Sequence, residues 1–419
     1  MMTYEDTLQY LYASQPAFHV VGAAAYKPGL GNTISLMDAL GNPHKTFRSV
    51  HVAGTNGKGS TSHMLAAVLQ SAGYKTGLYT SPHLVDYRER IRINGRMIPK
   101  HEVVGFVEDN KQLLEQVKPS FFETTMAMAF SWFMKENVDI AVIEVGLGGR
   151  LDSTNIIMPE VSVITNIGLD HTEFLGNTLA EIASEKAGII KRGVPVVIGE
   201  SCDETRLVFQ KRAEEAASEL VFAELSDLPV SFAGICQLRG MYQQKNIKTV
   251  LATLNVLRRR SWHISDEAIE TGLAAVCTLT GLEGRWQTIK YEACGKPLTI
   301  ILDTGHNSHG VSSYIDDLRK ISGLRIVFGM VSDKDVSAVL SLLPSDAVYY
   351  FTQADSHRAI PASQFRQMAN EAGLHGRAFT SVIEAVEQAI YEAAADDTVF
   401  IGGSNYVVGE ALQLLHTTS

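Results

Sequence analysis

The strongest constraint in this chain is an alternation. Short apolar runs rich in β-branched residues, RSVHVAG, KTGLYTS, DIAVIEVG, VSVITNIG and VPVVIGE, are separated by stretches with helical spacing. In STSHMLAAVLQSAG, for example, Leu65, Val68, Leu69 and Ala72 fall on one helical face and Gly73 ends the helix. Strands that are apolar throughout and alternate with helices imply a mostly parallel sheet covered on both faces. The pattern restarts after residue 284 with LTIILDTG, LRIVFGM, AVYYFTQ and DTVFIGG. A chain of 419 residues exceeds one ordinary core, and the glycine-rich TLTGLEGR at 278–285 is the natural break. The expected fold is therefore α/β: a P-loop-containing, mostly parallel sheet domain over 1–283, then a smaller Rossmann-like α/β domain over 284–419.

Open α/β sheets bind ligands outside the carboxyl ends of their strands. The first strand runs into HVAGTNGKGSTSHM (51–64), the second ends at Thr80-Ser81-Pro82-His83, the third at Glu144 and the fourth near Asp170-His171. The common phosphate loop, G-x-x-x-x-G-K-[ST], puts its hydroxyl directly after the lysine. Here Lys58 is followed by Gly59, and the hydroxyl of Ser60 comes one position late. The backbone amides of Gly54, Thr55, Asn56, Gly57, Lys58 and Gly59, with the following helix N-terminus, are expected to face a triphosphate. Lys58 adds a point charge. Glu144 closes an apolar run and would be costly to bury unpaired. Magnesium takes hard oxygen ligands, which suits Glu144 and the hydroxyls of Ser60 or Ser81. Spacing alone gives His171 no metal role. Each strand end has a dull explanation as a turn or a satisfied polar residue. Four of them around a phosphate loop fit a metal–nucleotide site.

Composition removes other classes. A net charge of −10 argues against a broad nucleic-acid surface. No run of 18 apolar residues reads as a membrane span, and MMTYEDTLQYLYAS lacks the basic-then-apolar order of a signal peptide. Cys202, Cys236, Cys277 and Cys294 form no C-x-x-C pair, so reduced thiols in a cytoplasmic protein are expected, with no disulfide framework or zinc site.

Taken together, these residues resemble the Mur ligase superfamily, and within it the folylpolyglutamate synthase/dihydrofolate synthase family. The displaced loop GTNGKGS is joined by TSPHL (80–84), FFETTMAMAF (121–130), EVGLGGRLDSTN (144–155), LDHTEFLG (169–176), SEKAGI (184–189), GR (284–285), DTGHN (303–307) and DKD (333–335). The resemblance implies ATP-dependent amide formation between a pterin-bearing carboxylate and the amine of L-glutamate. It implies that Ser81, Glu144 and His171 ligate magnesium and that Lys186, as a carbamate, supports a second ion, with a monovalent cation as a further component. It assigns Asn246, Arg285, Asp303 and His306 to the nucleotide. Phe121, Phe122, Glu123, Leu151, Asp152 and Ser153, with the loop Gly29, Leu30, Gly31, Asn32, fall to the pterin. Lys58, Glu144, His171, Lys186 and Arg285 would carry catalysis. Three positions depart from the family pattern: Tyr242 for histidine before Gln243, Gly305 for alanine, and Glu283 for proline before G-R.

The reaction implied is attack of the substrate carboxylate on ATP to give an acyl phosphate, which the glutamate amine then displaces. The protein contributes position and charge. The glycine-rich stretch near 281 would let two domains close and exclude water. Many bacterial members add the first glutamate and extend the tail, so both activities are expected, in a monomer without nucleic-acid or membrane partners. A cell-wall Mur ligase would need a domain of about 100 residues ahead of the loop, and the loop begins at Gly54. A regulatory P-loop ATPase would leave the second α/β domain without purpose.

Overall fold

A computed structural model describes residues 2–15, 29–225, 231–293 and 295–418. Cys294 lies outside these, and Cys202, Cys236 and Cys277 are free thiols. The chain forms two compact units. The first comprises Met1–His83, Tyr87–Gln237 and Gln243–Leu282; the second comprises Leu84–Asp86, Leu238–Tyr242 and Glu283–Ser419. No described helix is long and apolar enough to cross a membrane.

The first unit is built on eight strands: β1 (Arg48–Ala53), β2 (Thr76–Tyr79), β3 (Ile91–Ile93), β4 (Arg96–Met97), β5 (Ile140–Glu144), β6 (Val161–Ile164), β7 (Val196–Ile198) and β8 (Leu220–Phe222). Their order is β4-β3-β2-β5-β1-β6-β7-β8. All pairs are parallel except β2–β3 and β3–β4. The chain passes from one side of β1 to the other between β5 and β6. That reversal opens the crevice at their carboxyl ends where such sheets bind ligands.

The helix Lys58–Ser71 starts from that crevice. Residues Ser60 to Leu69 are all buried, so it is covered all round rather than on the single face its apolar spacing suggests. A second helical layer, which includes Asp266–Ala274, accounts for the difference. Gly272 of that layer lies so close that a Cβ there would stand 2.6 Å from Val68 Cα. His63 reaches Thr280 Oγ1 through its Nδ1 at 2.8 Å.

The second unit has six strands: β9 (Gln287–Ala293), β10 (Lys296–Asp303), β11 (Leu324–Phe328), β12 (Val348–Thr352), β13 (Gly376–Phe379) and β14 (Thr398–Gly402). They run in the order β13-β12-β11-β14-β10-β9, parallel apart from β9 on the edge. One core holds Phe328, Phe351, Phe365 and Phe400, and another holds Ile300, Val327, Val386 and Val408. Every run named from sequence became a strand. β3, β4, β8, β9 and β13 carried weaker signals: four are very short, and β9 alternates intermediate and exposed residues along a sheet edge.

Candidate active site

The phosphate loop is shaped by two glycines and locked by residues that follow β6. Gly54 has φ +151°, and a Cβ there would lie 1.9 Å from Thr165 Oγ1. Gly57 has φ +81° and caps the helix Lys58–Ser71; its Cβ would lie 2.4 Å from Asn246 Oδ1. Only glycine tolerates both the backbone angle and the approach. Thr165 Oγ1 donates to Asn56 O at 2.6 Å, and Thr55 Oγ1 accepts from Gly168 N at 3.0 Å. Two loop amides expected to face phosphate are committed elsewhere. Thr55 N donates to Asn166 O and Asn56 N to Asn166 Oδ1, each at 2.9 Å. Fastening the loop to β6 uses these donors. The helix N-terminus at Lys58 carries no side-chain cap, and its dipole is positive at the loop. Lys58 Nζ folds over the loop and donates to Gly54 O at 3.0 Å and Thr55 O at 3.2 Å.

A polar chain braces this loop from behind. Gln243 Nε2 donates to Ser60 Oγ at 3.1 Å, and Asn246 Nδ2 donates to Gln243 Oε1 at 2.8 Å. Asn246 is thereby held against Gly57. Gln243 is a site residue that the sequence reading did not single out, although it flagged the Tyr242-Gln243 pair as a departure.

Ser81 and Glu144 are brought together because β2 and β5 are neighbours, with Tyr79 opposite Ile143. Glu144 is only 3% exposed, and its Oε2 accepts from Ser81 N at 3.1 Å. His171 sits beyond β6 at φ +50°, heading the short helix Thr172–Leu175. Its amide donates to Asp170 Oδ1 at 3.0 Å, and its Nε2 lies 3.9 Å from Asp170 Oδ2. Among the described residues no three His, Cys, Asp or Glu side chains form a metal cluster. Ser81, Glu144 and His171 draw only two members from those types. A buried carboxylate beside a hydroxyl is the hard-oxygen pair that magnesium takes, so the donor chemistry fits that ion.

Lys186 ends the helix Leu179–Ala187 and is 4% exposed. Gly149 makes this seat possible, since a Cβ there would be 3.0 Å from Lys186 Cα. Burial, reinforced by the positive charge of Lys58 and opposed by Asp170 and Asp152, brings its pKa down to about 7.

The residues expected at the pterin divide into rings and anchors. Phe121 stacks on Tyr12 at 5.1 Å between centroids, and Phe122 meets Tyr79 edge-on at 5.7 Å. Glu123 caps its own helix by accepting from Ser120 N at 2.7 Å. Its other oxygen accepts from Thr33 Oγ1 at 3.1 Å, which seats the helix Gly31–Ala39 and the preceding Gly29 and Leu30. Asn32 lies in the first turn of that helix. Asp152 Oδ2 accepts from Gly146 N and Leu147 N at 3.0 and 2.9 Å, and Oδ1 from Thr154 N at 2.9 Å. Burial raises the Asp152 pKa against these bonds. Both carboxylates thus hold backbone in place. Leu151 and Ser153 flank Asp152 and are half-buried.

In the second unit Asp303 is a hub. Oδ2 accepts from Tyr242 Oη at 2.7 Å and from Trp286 N at 2.9 Å, while Oδ1 accepts from Gly305 N at 2.8 Å. Burial raises its pKa, opposed by these donors and by the Arg285 charge. Two departures from the family pattern find reasons here. Tyr242 supplies a hydroxyl to Asp303, and a Cβ at Gly305 would stand 2.6 Å from the Tyr314 ring. Arg285 Nη1 donates to Gly284 O at 3.3 Å, and His306 Nδ1 donates to Thr304 O at 2.9 Å.

A phosphate loop beside a serine paired with a buried glutamate, followed by a second α/β unit, is the arrangement of a Mur-type ATP-dependent ligase. The Mur ligase middle domain matches residues 52–249, and the Mur ligase glutamate ligase domain matches 284–405. The folylpolyglutamate synthase of Lacticaseibacillus casei is 33% identical over 451 residues, covering 99% of this chain and 99% of that protein. The probable bifunctional folylpolyglutamate synthase/dihydropteroate synthase of Haloferax volcanii is 34% identical over 92% of this chain, which spans 48% of that longer protein. The Yersinia pestis bifunctional folylpolyglutamate synthase/dihydrofolate synthase, solved with AMPPNP and a Mn ion, superposes with a TM-score of 0.83 at 29% identity, covering 99% of this chain and 98% of that one. The chain belongs to the folylpolyglutamate synthase/dihydrofolate synthase family.

Proposed function

We propose that the chain joins the amine of L-glutamate to a pterin-bearing carboxylate at the expense of ATP, taking both dihydropteroate and the glutamate tail of reduced folates. One arrangement supports this above all: a phosphate loop locked by Thr165, Asn166 and Asn246 next to the half-buried Ser81 and the buried Glu144. The phosphate loop and the pterin residues belong to 1–283, and the ligase half is 284–419.

An oxygen of the acceptor carboxylate attacks the γ-phosphorus of ATP. A P–O bond forms, the bond to the bridging oxygen breaks, and ADP leaves an acyl phosphate. The glutamate amine then adds to the acyl carbon, loses its proton, and the tetrahedral intermediate expels inorganic phosphate. The carboxylate is already ionised at neutral pH, so no side-chain nucleophile is needed. Lys58 and the helix N-terminus behind it face the phosphates, and Arg285, Asn246, Asp303 and His306 hold the nucleotide. Ser81, Glu144 and His171 would hold one magnesium ion and Lys186, as a carbamate, would support a second; the ions supply charge neutralisation at the phosphates. Ser60 is the alternative hydroxyl, and a monovalent cation completes the set. The low Lys186 pKa leaves part of its amine unprotonated near neutral pH, the form that takes up carbon dioxide. The enzyme acts as a cytoplasmic monomer without nucleic acid.

The test is ADP release by the purified chain with Mg·ATP and L-glutamate, using 7,8-dihydropteroate or a tetrahydrofolate as acceptor. Release with both acceptors, dependent on glutamate, is expected. Turnover indifferent to glutamate would overturn the proposal and restore the regulatory ATPase.

A further inference from the structure

Arg90 ends the 3-10 turn Tyr87–Arg90 and leads into β3. It is 4% exposed, yet among the described residues no carboxylate pairs with it. Its Nε donates to His83 Nδ1 at 2.8 Å, and its guanidinium carbon lies 5.3 Å from the Phe121 ring centroid. An arginine cannot shed its proton, and a buried charge without a counter-charge is costly. The first unit thus holds a buried cation with no anion of its own.

A second group nearby is also unsatisfied. Tyr79 is fully buried, and its hydroxyl has no hydrogen-bond partner among the described residues. Its ring lies edge-on to Phe122, and its hydroxyl feels the Arg90 charge most, with the Asp152 and Glu144 carboxylates acting against it. Buried hydroxyls are rarely left so, because the loss is not repaid elsewhere.

Both groups adjoin the strand end that carries Ser81. Thr80 N donates to Arg90 O at 3.1 Å, while Ser81 N donates to Glu144. An anion held by Arg90 therefore lies close to the carboxylate being activated, among the rings of Phe121 and Tyr87, whose centroids are 5.7 Å apart. Phosphate already has its place at the Gly54–Ser60 loop. The planar guanidinium fork suits a carboxylate instead. Dihydropteroate has a single carboxylate, the reacting one. A glutamyl folate brings two, and the one that does not react needs a counter-charge. The α-carboxylate sits on the shorter arm, so pairing it leaves the longer γ arm to reach the site.

We infer that Arg90, with the Tyr79 hydroxyl, binds the α-carboxylate of the glutamyl tail of a reduced-folate acceptor and so presents its γ-carboxylate for activation. This rests on the ligase reading above and adds the group that distinguishes a glutamyl acceptor from one without that carboxylate.

The experiment compares kcat/KM for tetrahydrofolate with that for its analogue carrying γ-aminobutyrate in place of glutamate, in the wild-type chain and in Arg90→Gln. The wild type should prefer the glutamyl acceptor by about 10- to 100-fold, the range of one charge-assisted pair. Arg90→Gln should lose that preference, mostly through KM, and keep its rate with 7,8-dihydropteroate within about threefold. Arg90→Lys, which retains the charge, should retain part of the preference, and Tyr79→Phe should reduce it; either variant serves if Arg90→Gln does not fold. A preference that survives undiminished in whichever variants fold overturns the inference. A wild type indifferent to the α-carboxylate overturns it too. No glutamate-dependent ADP release from the wild type with any acceptor would overturn the ligase reading itself.

Discussion

His51 stands in the middle of β1, fully buried, with Nε2 2.8 Å from Thr154 Oγ1. The Thr154 hydroxyl donates to Asp152 Oδ1, so the hydrogen between His51 and Thr154 belongs to Nε2. Nδ1 is left as a bare acceptor with no partner among the described residues. Burial, with the charge of Lys191, pushes the His51 pKa down to about 3. An unfolded histidine takes a proton near pH 6.5 and the folded one only near 3, so acid favours the unfolded chain across that window. Above pH 6.5 there is no penalty. Below it stability falls by about 1.4 kcal/mol per pH unit from this group alone. His51→Gln should flatten the slope by up to that amount, while costing about 1 kcal/mol at pH 8 through the poorer bond to Thr154. Urea denaturation between pH 4 and 8 measures both, and an unchanged slope would count against the assignment. At this scale the sequence showed the loop residues better than the residues that hold the loop. Gly54, Gly57 and Lys58 announced themselves by spacing. Thr165, Asn166 and Gln243, which lock the loop, come from distant stretches and carry no local signal of that contact. Arg90 lay outside every quoted motif, since nothing in its neighbours reveals that it lacks a counter-charge.

The helix Lys58–Ser71 links the phosphate loop to the core. Gly272 packs close against it, where a Cβ would meet Val68 Cα at 2.6 Å and Val68 N at 2.7 Å. Gly272→Ala should cost about 1–3 kcal/mol by overpacking and change ADP binding much less, because Val68 lies in the last turn of the helix, at the opposite end from the loop. Adding Val68→Ala should restore little, as the clash is with backbone atoms. Thermal denaturation and ADP titration of the single and double variants check this; full rescue by the double variant would place the strain at the Val68 side chain instead. Elements of this kind were legible where burial was complete. The mostly apolar, buried runs of β1, β5, β6, β10, β11 and β14 have no other stable home than a covered parallel sheet. The edge strand β9 and the three-residue β8 obey weaker rules, because half of their surroundings are solvent or sheet edge. The all-round burial of Lys58–Ser71 escaped notice for a related reason. Polar residues such as Thr61, Ser62 and His63 mask it, and the helical layer that covers them lies about 200 residues later.

At the scale of the whole molecule, the second unit is more than the tail of the chain. Leu84 and Val85 pack on its core around Val408, and Tyr242 packs on the other core while bonding Asp303. The fit around Leu84 is close: a Cβ at Gly409 would lie 2.4 Å from Leu84 O, and one at Gly284 would lie 2.9 Å from Leu84 Cδ1. A glycine-rich stretch such as 278–285 shows in a sequence as a change of pattern, whereas excursions of three and five residues leave no periodic trace. They nevertheless set the stability of the unit. A fragment covering 284–419 would lack both segments. Burying two aliphatic side chains in part contributes about 2–4 kcal/mol, and the hydrogen bond from Tyr242 to a buried carboxylate about 1.5–3 kcal/mol more. Against a typical domain stability of about 5–15 kcal/mol, that loss leaves the fragment marginal. Amide exchange in β10, β11 and β14 should therefore be faster in the fragment than in the whole chain by a factor of 100 or more, about 3 kcal/mol at 1.4 kcal/mol per decade. Equal exchange would mean that Leu84, Val85 and Tyr242 ride on a unit that folds without them, and that the stability of the hydrogen-bonded hub at Asp303 is set within 284–419 alone.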